Sequence, residues 1–124
     1  IKKIEYYQVS NKIRLLGYIN NKKQLINLID NCIAVVYPSF YDAFPLTVVE
    51  AFSRGKPCLC SNISETKYFV DDNSLLFDPN DLLELKKKWR NLDNINFSEK
   101  KLKGKAKLFH PKFFANKLIS EGVI

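Results

Sequence analysis

The stretch IAVVYPSFYDAFPLTVVEAFSRGKPCLCSN, residues 33–62, decides the fold class. It opens with a β-branched apolar run closed by Pro38, continues with an apolar segment from about residue 45 to 54, and ends with a second short apolar run, PCLCSN, at 57–62. An uninterrupted apolar strand is typical of a strand buried on both faces. The order strand, helix, strand therefore predicts a parallel unit with a right-handed crossover.

The same alternation continues on both sides of this unit. Upstream, KIRLLGYI (12–19) is interpreted as a short strand ending near Gly17, and KKQLINLIDNC (22–32) as an amphipathic helix. Downstream, SLLFDP (74–79) is a further short apolar strand. This pattern predicts an α/β fold, a Rossmann-like three-layer parallel sheet of about four strands. Four apolar side chains of the first helix are expected to point inward: Leu25, Ile26, Leu28 and Ile29.

The last third of the chain is predicted to be helical. Asp81 supplies an N-cap for LLELKKKWRNL, Ser98 one for the next helix, and Pro111 starts a final helix with Gly122 beyond its end. His110 is interpreted as a surface or packing residue and not as a catalytic base. Four aromatic residues at helical spacing are assigned to the core: Trp89, Phe109, Phe113 and Phe114.

Composition limits the class of protein. The 124 residues suffice for one domain, with 46% hydrophobic and 27% charged residues. No apolar run approaches the ~20 residues of a membrane span, and the opening IKKIEYY lacks the features of a secretory signal, so a cytoplasmic protein or fragment is expected. Cys32, Cys58 and Cys60 lack the spacing of a zinc site, so reduced core cysteines and no metal are expected.

The net charge of +7 comes mainly from lysines after residue 85. These lysines alternate with apolar residues at helical spacing in KKKWR, EKKLKGKAK and PKFFANK. Three interpretations stay open: a solvated helix face, a patch that contacts an anionic membrane surface, and a nucleic-acid-binding surface. The first requires no partner and is the one we favour.

The helix predicted near residue 45 begins without a capping side chain. Pro45 suits a first helical turn, whereas Phe44 before it has no side-chain acceptor. The N–H groups of Leu46 and Thr47 are therefore predicted to be free at the positive end of the helix dipole. Loops that follow parallel strands bind ligands in such folds. A helix start of this kind suits a phosphate.

A single carboxylate, Glu50, interrupts the apolar helix. It is the only charge between Asp42 and Arg54, and it lies three or four residues from Leu46 and Thr47. Its carboxylate is predicted to face the same crevice, where it can accept two hydrogen bonds from a vicinal diol such as a ribose. Two alternatives stay open: Glu50 pairs with Arg54 on the surface, and Asp42 makes only an Asx turn.

Taken together, YPSFYDAFPLTVVEAFSRGKPCLCSN resembles the signature of the retaining, two-domain (GT-B) glycosyltransferases of the group 1 type, also called family 4, and the resemblance spans about residues 12–90. In that family two Glu residues separated by seven positions bind the donor, and Asp42 and Glu50 stand at the matching positions. The resemblance implies that Glu50 binds the nucleotide ribose and that Asp42 contacts the transferred sugar, as the catalytic pair. It also implies donor contacts from Gly17, Tyr18 and Ile19 beside the nucleobase and from Ala43, Phe44, Pro45, Leu46 and Thr47 beside the diphosphate and sugar.

The sequence departs from the family pattern at three places. Asp42 is one methylene shorter than the usual Glu, Pro45 stands where Gly is common, and SETKYFV (64–70) lacks a Gly and a Pro-Glu pair. The family's phosphate-binding Arg and Lys and its acceptor-binding domain lie upstream of this region. The chain, 1–124, is therefore expected to be a partial C-terminal donor-binding domain, one part of a GT-B fold, with C-terminal helices at about 98–122.

The function implied by the resemblance is hexosyl transfer with retention from a nucleotide-diphosphate sugar, without a metal or another cofactor. The acceptor is left open among a glycan, a lipid-linked sugar and a small molecule. A cytoplasmic enzyme is expected, with peripheral contact at the inner membrane face left open. The alternatives are a catalytically silent binding or interaction module and, less favoured, a basic nucleic-acid-binding domain.

Overall fold

A three-stranded parallel sheet flanked by helices forms the framework. The computed structural model describes residues 11–95 and 97–120, apart from the side chains of residues 113–115, 117 and 118. The elements are α1 Lys22–Asn31, β1 Val35–Tyr37, α2 Leu46–Ser53, β2 Cys58–Ser61, α3 Ser64–Phe69, β3 Leu76–Phe77, α4 Leu82–Asn91, α5 Glu99–Leu108 and α6 Pro111–Ser120, with 3-10 turns at Asn73–Leu75 and Leu92–Asn94. The strand order β1-β2-β3, parallel throughout, confirms the predicted α/β class.

The central strand β2 organises the core. All of its residues are buried, and it pairs with β1 through Cys58 opposite Val35 and with β3 through Cys60 opposite Leu76. An apolar strand of this kind has no face for solvent, which is why its sequence does not alternate. Hydrogen bonding to Cys60 and burial raise the pKa of the Cys58 thiol, so it stays protonated. All three cysteines are free, as predicted, although Cys32 is only half-buried.

Helix α2 ends in a Schellman motif. The N–H of Gly55 donates to the carbonyl of Phe52 (2.9 Å), and the N–H of Lys56 donates to that of Ala51 (2.9 Å). This geometry requires a left-handed residue, and Gly55 has φ +73°. Gly55 also lies against α5, where a Cβ would stand 3.2 Å from Cβ and Cγ of Glu99. The end of this helix, predicted at about residue 54, therefore has a steric basis as well as a conformational one.

Alanine at two glycine positions is expected to change the free energy of unfolding in opposite directions. Gly55→Ala is expected to lower the free energy of unfolding by about 1–3 kcal/mol, because it combines left-handed strain with contacts to α5. Gly104→Ala is expected to raise it by about 0.5–1 kcal/mol, because Gly104 lies within α5 with open space around it. Urea unfolding followed by circular dichroism measures both. A free energy of unfolding that is unchanged or higher in Gly55→Ala would contradict this account of Gly55.

The predicted helix starts are confirmed. The carboxylate of Asp81 accepts from the N–H groups of Leu83 (2.9 Å) and Glu84 (3.0 Å), and α4 follows. Ser98 caps α5, and Pro111 opens α6, whereas Gly122 lies outside the described residues. These ends were predictable because capping depends on local chemistry alone.

Helix α3 was not predicted. The buried hydroxyl of Thr66 has a single proton, which the carbonyl of Ser61, at the end of β2, shares with that of Ile63 (3.0 Å). It also accepts from the N–H of Ile63 (3.3 Å). This side chain links the helix to the strand, and its burial is a tertiary effect that the local sequence does not reveal.

The strand predicted at 12–19 is wrong. Residues 13–20 are irregular, Gly17 is left-handed at φ +63°, and Ile13, Leu15 and Leu16 are exposed. A strand needs a neighbour to pair its backbone groups, and within the described residues no hydrogen bond joins this segment to β1. The described sheet accordingly has three strands where about four were expected.

Two core assignments are also wrong. Trp89 is 46% exposed, because α4 turns Leu85 and Lys88 toward the sheet and leaves Trp89 on its flank. The ammonium of Lys88 donates to the carbonyls of Asn73 (2.6 Å) and Leu76, which fixes this orientation. Leu28 is 39% exposed, on the flank of α1, whose other three predicted inward residues are half-buried. Phe109 packs against the core as predicted, and the side chains of Phe113 and Phe114 are not described.

Candidate functional site

The loop between β1 and α2 leaves the carboxyl edge of the sheet and carries Asp42. This side chain is half-buried, and its Oδ1 accepts a hydrogen bond from the N–H of Phe44 at 2.9 Å. The bond is an Asx turn, one of the two roles that the sequence left open. Among the described residues Oδ2 has no partner, so one carboxylate oxygen is available to a ligand.

Pro45 forms a tight turn at the start of α2. Its dihedral angles, φ −74° and ψ 71°, are those of an inverse γ-turn, and the N–H of Leu46 donates to the carbonyl of Phe44 at 2.7 Å. The prediction of a free N–H at Leu46 is therefore wrong, because the carbonyl of Phe44 accepts its hydrogen bond. Thr47 is different: its N–H has no acceptor in the described part of the chain, and no side chain caps the helix.

Glu50 lies on the exposed side of α2. The opposite side, formed by Val48, Ala51 and Phe52, is buried. Helical side chains lean toward the N-terminus, so the carboxylate of Glu50 extends back over the turn that contains Thr47. No hydrogen bond or ion pair to this carboxylate is formed by the described residues. A free acceptor and a free donor thus occupy neighbouring turns of one helix face.

Arg54 does not pair with Glu50. Its guanidinium instead holds Asp30 of α1 in a bidentate contact, with Nε to Oδ1 at 2.6 Å and Nη2 to Oδ2 at 2.5 Å. The hydrogen bond from Arg54 holds the pKa of Asp30 below its usual value, so the pair stays charged at neutral pH. The planar fork of the guanidinium suits a carboxylate bound in this way. The surface-pair alternative for Glu50 is therefore wrong, and Glu50 is left unneutralised.

An aromatic cluster supports the loop, and the sequence did not predict it. The ring of Phe44 packs edge-on against Phe69, at 5.0 Å between centroids, and approaches Phe109 at 6.4 Å. Phe69 in turn lies 4.2 Å from Phe109. The rings come from a loop, from α3 and from the end of α5, so only the tertiary fold unites them. Their packing anchors the residue before Pro45 and thereby the start of α2.

The segment predicted to lie beside a nucleobase, Gly17–Ile19, is irregular. Tyr18 is 92% exposed and Ile19 is half-buried. Among the described residues no hydrogen bond or ion pair joins this segment to α2. Ala43 lies exposed in the loop before Phe44. The structure thus brings Asp42 to the residues around Pro45 through the Asx turn, but it does not connect Gly17–Ile19 to them.

A groove of about 430 Å³ borders the exposed side of α2. It lies along the surface shared by that helix, α5 and the start of α6, and its lining residues are Val49, Ser53, Lys103, Ala106, Lys107, Phe109, His110 and Pro111. His110 is exposed, as predicted, and its Nδ1 accepts from the N–H of Lys112. Nowhere in 11–95 or 97–120 do three His, Cys, Asp or Glu side chains gather as they would around a metal ion. None of the described helices has the length and apolarity needed to cross a membrane.

Comparison with known proteins identifies the family. The family model for glycosyl transferases group 1 matches residues 1–108. The chain belongs to the group 1 glycosyltransferases. This match confirms the resemblance that was based on residues 37–62. The fold around these residues agrees with a fragment of a Rossmann-like glycosyltransferase, as the resemblance implied.

Two proteins from Escherichia coli are similar to part of the chain. The chain is 43% identical over 70 residues, 56% of its length, to the O-antigen chain mannosyltransferase B. It is 30% identical over 76 residues, 60% of its length, to the UDP-Gal:alpha-D-GlcNAc-diphosphoundecaprenol alpha-1,3-galactosyltransferase. The matched segments cover 18% and 19% of those proteins, so the chain spans about a fifth of the length of either. The donor-binding roles of individual residues, Asp42 and Glu50 included, stay predictions.

Proposed function

We propose that this chain forms the donor-binding part of an enzyme that transfers a hexose from a nucleotide-diphosphate sugar with retention of anomeric configuration. The observation that carries the proposal is the unpaired carboxylate of Glu50, which stands one turn from the free N–H of Thr47 on the exposed side of α2. The carboxylate of Glu50 accepts hydrogen bonds from hydroxyl groups, and the N–H of Thr47 donates a hydrogen bond to an anion. A ribose joined to a diphosphate presents both kinds of partner at a short separation.

The ribose is the proposed partner of Glu50. An ionised carboxylate accepts two hydrogen bonds from adjacent hydroxyls, and such charge-assisted bonds are about twice as strong as neutral ones. Because Asp30 holds Arg54, the residue that follows α2, this guanidinium does not compete for the carboxylate of Glu50. Asp30 thus acts in the proposal as a positioning residue that keeps Arg54 away from the diol.

The diphosphate is the proposed partner of the α2 N-terminus. The free N–H of Thr47 and the helix dipole both favour an anion at this point. One N–H group supplies only part of the stabilisation that a departing diphosphate needs. We therefore assign the remaining hydrogen-bond donors to parts of the enzyme that this chain does not include. The chain alone is expected to bind a nucleotide-diphosphate sugar without transferring the sugar.

The transferred sugar is the proposed partner of Asp42, through the oxygen that the Asx turn leaves free. Asp42→Asn separates the two roles of this side chain, because Asn keeps an oxygen for the turn but removes the charge. We expect the variant to fold normally and to bind the nucleotide-diphosphate sugar ~3- to 10-fold more weakly. Its affinity for the sugar-free nucleoside diphosphate should not change, and calorimetry with both ligands tests this. An equal loss for both ligands would contradict the assignment to the sugar.

The acceptor is proposed from the relatives. One of them, by its name, extends a sugar on diphosphoundecaprenol, and the other builds an O-antigen chain. We therefore propose a lipid-linked or glycan acceptor and a site of action at the cytoplasmic side of the membrane. This proposal concerns the whole enzyme and does not depend on the donor contacts of α2.

Calorimetric titration of the 124-residue chain with uridine- and guanosine-diphosphate hexoses tests the proposed function. We expect saturable binding of at least one of these donors, with weaker binding of the matching nucleoside monophosphate. Circular dichroism establishes that the chain is folded during the titration. A folded chain that binds none of the donors at millimolar concentration would overturn the proposal and favour the alternative of a silent module.

A further inference from the structure

The outward side of α4 combines exposed apolar side chains with unpaired cations. Leu82 and Leu83 are 75% and 77% exposed. Lys86, Lys87 and Arg90 follow within two turns, and none of the three forms an ion pair with a described residue. These five residues are called the α4 face below. A groove of about 380 Å³ runs along it, lined by Leu83, Lys86, Lys87, Arg90 and Asn91, without a carboxylate.

The carboxylates closest to the α4 face in sequence are bound elsewhere. Asp81 caps the helix, and Glu84 accepts from the N–H of Asp78 (2.7 Å) and pairs with Lys88 (3.0 Å). The hydrogen bond from Asp78 and then that from Lys88 hold the pKa of Glu84 below its usual value. Beyond the helix, the exposed Asp93 is the next acid. The positive charge of the α4 face is therefore not neutralised along its own helix.

Helix α5 shows the contrasting arrangement. Lys103 pairs with Glu99 at 2.8 Å, and Lys105 pairs with Asp71. Acids thus neutralise part of the charge of α5, as is usual for a solvated helix face. The α4 face differs because none of its three cations is paired with a described residue and because exposed leucines lie beside them. Charge alone would suit nucleic acid, but two exposed leucines gain nothing from a phosphate backbone.

We propose that the α4 face binds the surface of an anionic lipid bilayer. A bilayer surface accommodates both halves of the face at once, because leucines enter the boundary between headgroups and acyl chains while cations contact headgroup phosphates. The groove between Leu83 and Arg90 offers a phosphate three cations within two helical turns. If the proposed function holds as well, this contact keeps the donor site near a lipid-linked acceptor. The bilayer contact itself does not require donor binding, so the two proposals can fail separately.

Trp89 provides a built-in reporter. It is the only tryptophan of the sequence, and it lies half-exposed on the flank of the α4 face. The 124-residue chain is mixed with vesicles of phosphatidylglycerol and phosphatidylcholine, or of phosphatidylcholine alone. We expect co-sedimentation with the anionic vesicles, a blue shift of the emission of Trp89, and a decrease of both as salt is raised. An absence of binding to anionic vesicles would overturn the proposal.

Matched variants locate the contact. Removing the three cations by Lys86→Gln, Lys87→Gln and Arg90→Gln is expected to weaken vesicle binding on the order of 100-fold. The control removes three unpaired lysines of α5, by Lys100→Gln, Lys101→Gln and Lys107→Gln, and is expected to weaken it less than ~5-fold. An equal loss in both triple variants would assign the binding to net charge and overturn the proposal.

A third variant separates lipid from other anions. Leu82→Ser with Leu83→Ser is expected to abolish the blue shift of Trp89 on anionic vesicles and to leave the circular dichroism of the chain unchanged. Its cations remain, so weak salt-sensitive co-sedimentation should persist. Retention of the full blue shift in this variant, or tighter binding of the parent chain to RNA than to anionic vesicles, would contradict a bilayer partner.

Discussion

Replacing Glu50 with glutamine is expected to weaken donor binding on the order of 10- to 100-fold without changing the fold. Glutamine keeps the size of the side chain, but it accepts through one neutral oxygen where the carboxylate offers two charged ones. Glu50 is exposed and unpaired, so the substitution removes no contact within the described structure. Calorimetric titration with the donor that binds best measures the loss.

A 2′,3′-dideoxy donor makes this prediction specific to the ribose. The parent chain should prefer the ribose form over the dideoxy form by about the same factor that Glu50→Gln loses. The variant itself should barely distinguish the two ligands. Asp93→Asn, which removes an exposed and unpaired carboxylate beyond α4, serves as the matched control and should bind like the parent. A variant of Glu50 that still discriminates the ribose would show that the diol binds elsewhere.

Replacing Leu59 with alanine is expected to lower the free energy of unfolding by about 2–5 kcal/mol. Leu59 is fully buried in the central strand, opposite Val36 of β1, and it belongs to the main hydrophobic cluster. Its neighbours in the hydrophobic cluster are themselves buried and packed, so a cavity is expected to remain where the side chain is removed. Domains of this size are stable by ~5–15 kcal/mol, so the loss is a large fraction of the total. Urea unfolding measures it.

Leu82→Ala is the control for this substitution. Leu82 is exposed at the start of α4, and alanine is at least as good a helix former there. Its effect on the free energy of unfolding should stay within ~0.5 kcal/mol. Equal stabilities for the Leu59 and Leu82 variants would contradict the position of β2 at the centre of the core.

The fold was predictable wherever neighbouring residues alone determine the structure. The apolar run at 33–39 identifies β1, and the capping residue Asp81 identifies the start of α4. Gly55 likewise marks the end of α2. None of these assignments requires knowledge of distant partners. The segment 12–19 has the same apolar character but pairs with no described strand. Strand formation depends on a partner that the local sequence does not reveal.

The candidate site was predictable in part, for related reasons. The missing cap before α2 follows from residue types, but the inverse γ-turn at Pro45 that occupies the N–H of Leu46 depends on a specific backbone conformation. Glu50 was expected either to pair with Arg54 or to be free. The choice depended on Asp30, which is 24 residues from Arg54 in sequence and adjacent in the fold. Contacts across such separations decide which side chains remain available to a ligand.

The chemical shift of the Thr47 amide during donor titration tests the central claim most directly. In the proposed site, the free N–H of Thr47 and the carboxylate of Glu50 bind one ligand on the exposed side of α2. Saturation of an isotope-labelled chain with the donor should move the Thr47 amide signal most, with smaller shifts through Glu50 and none along α4. Saturable binding that leaves the signals of Thr47 and Glu50 unmoved, and shifts others instead, would contradict the account.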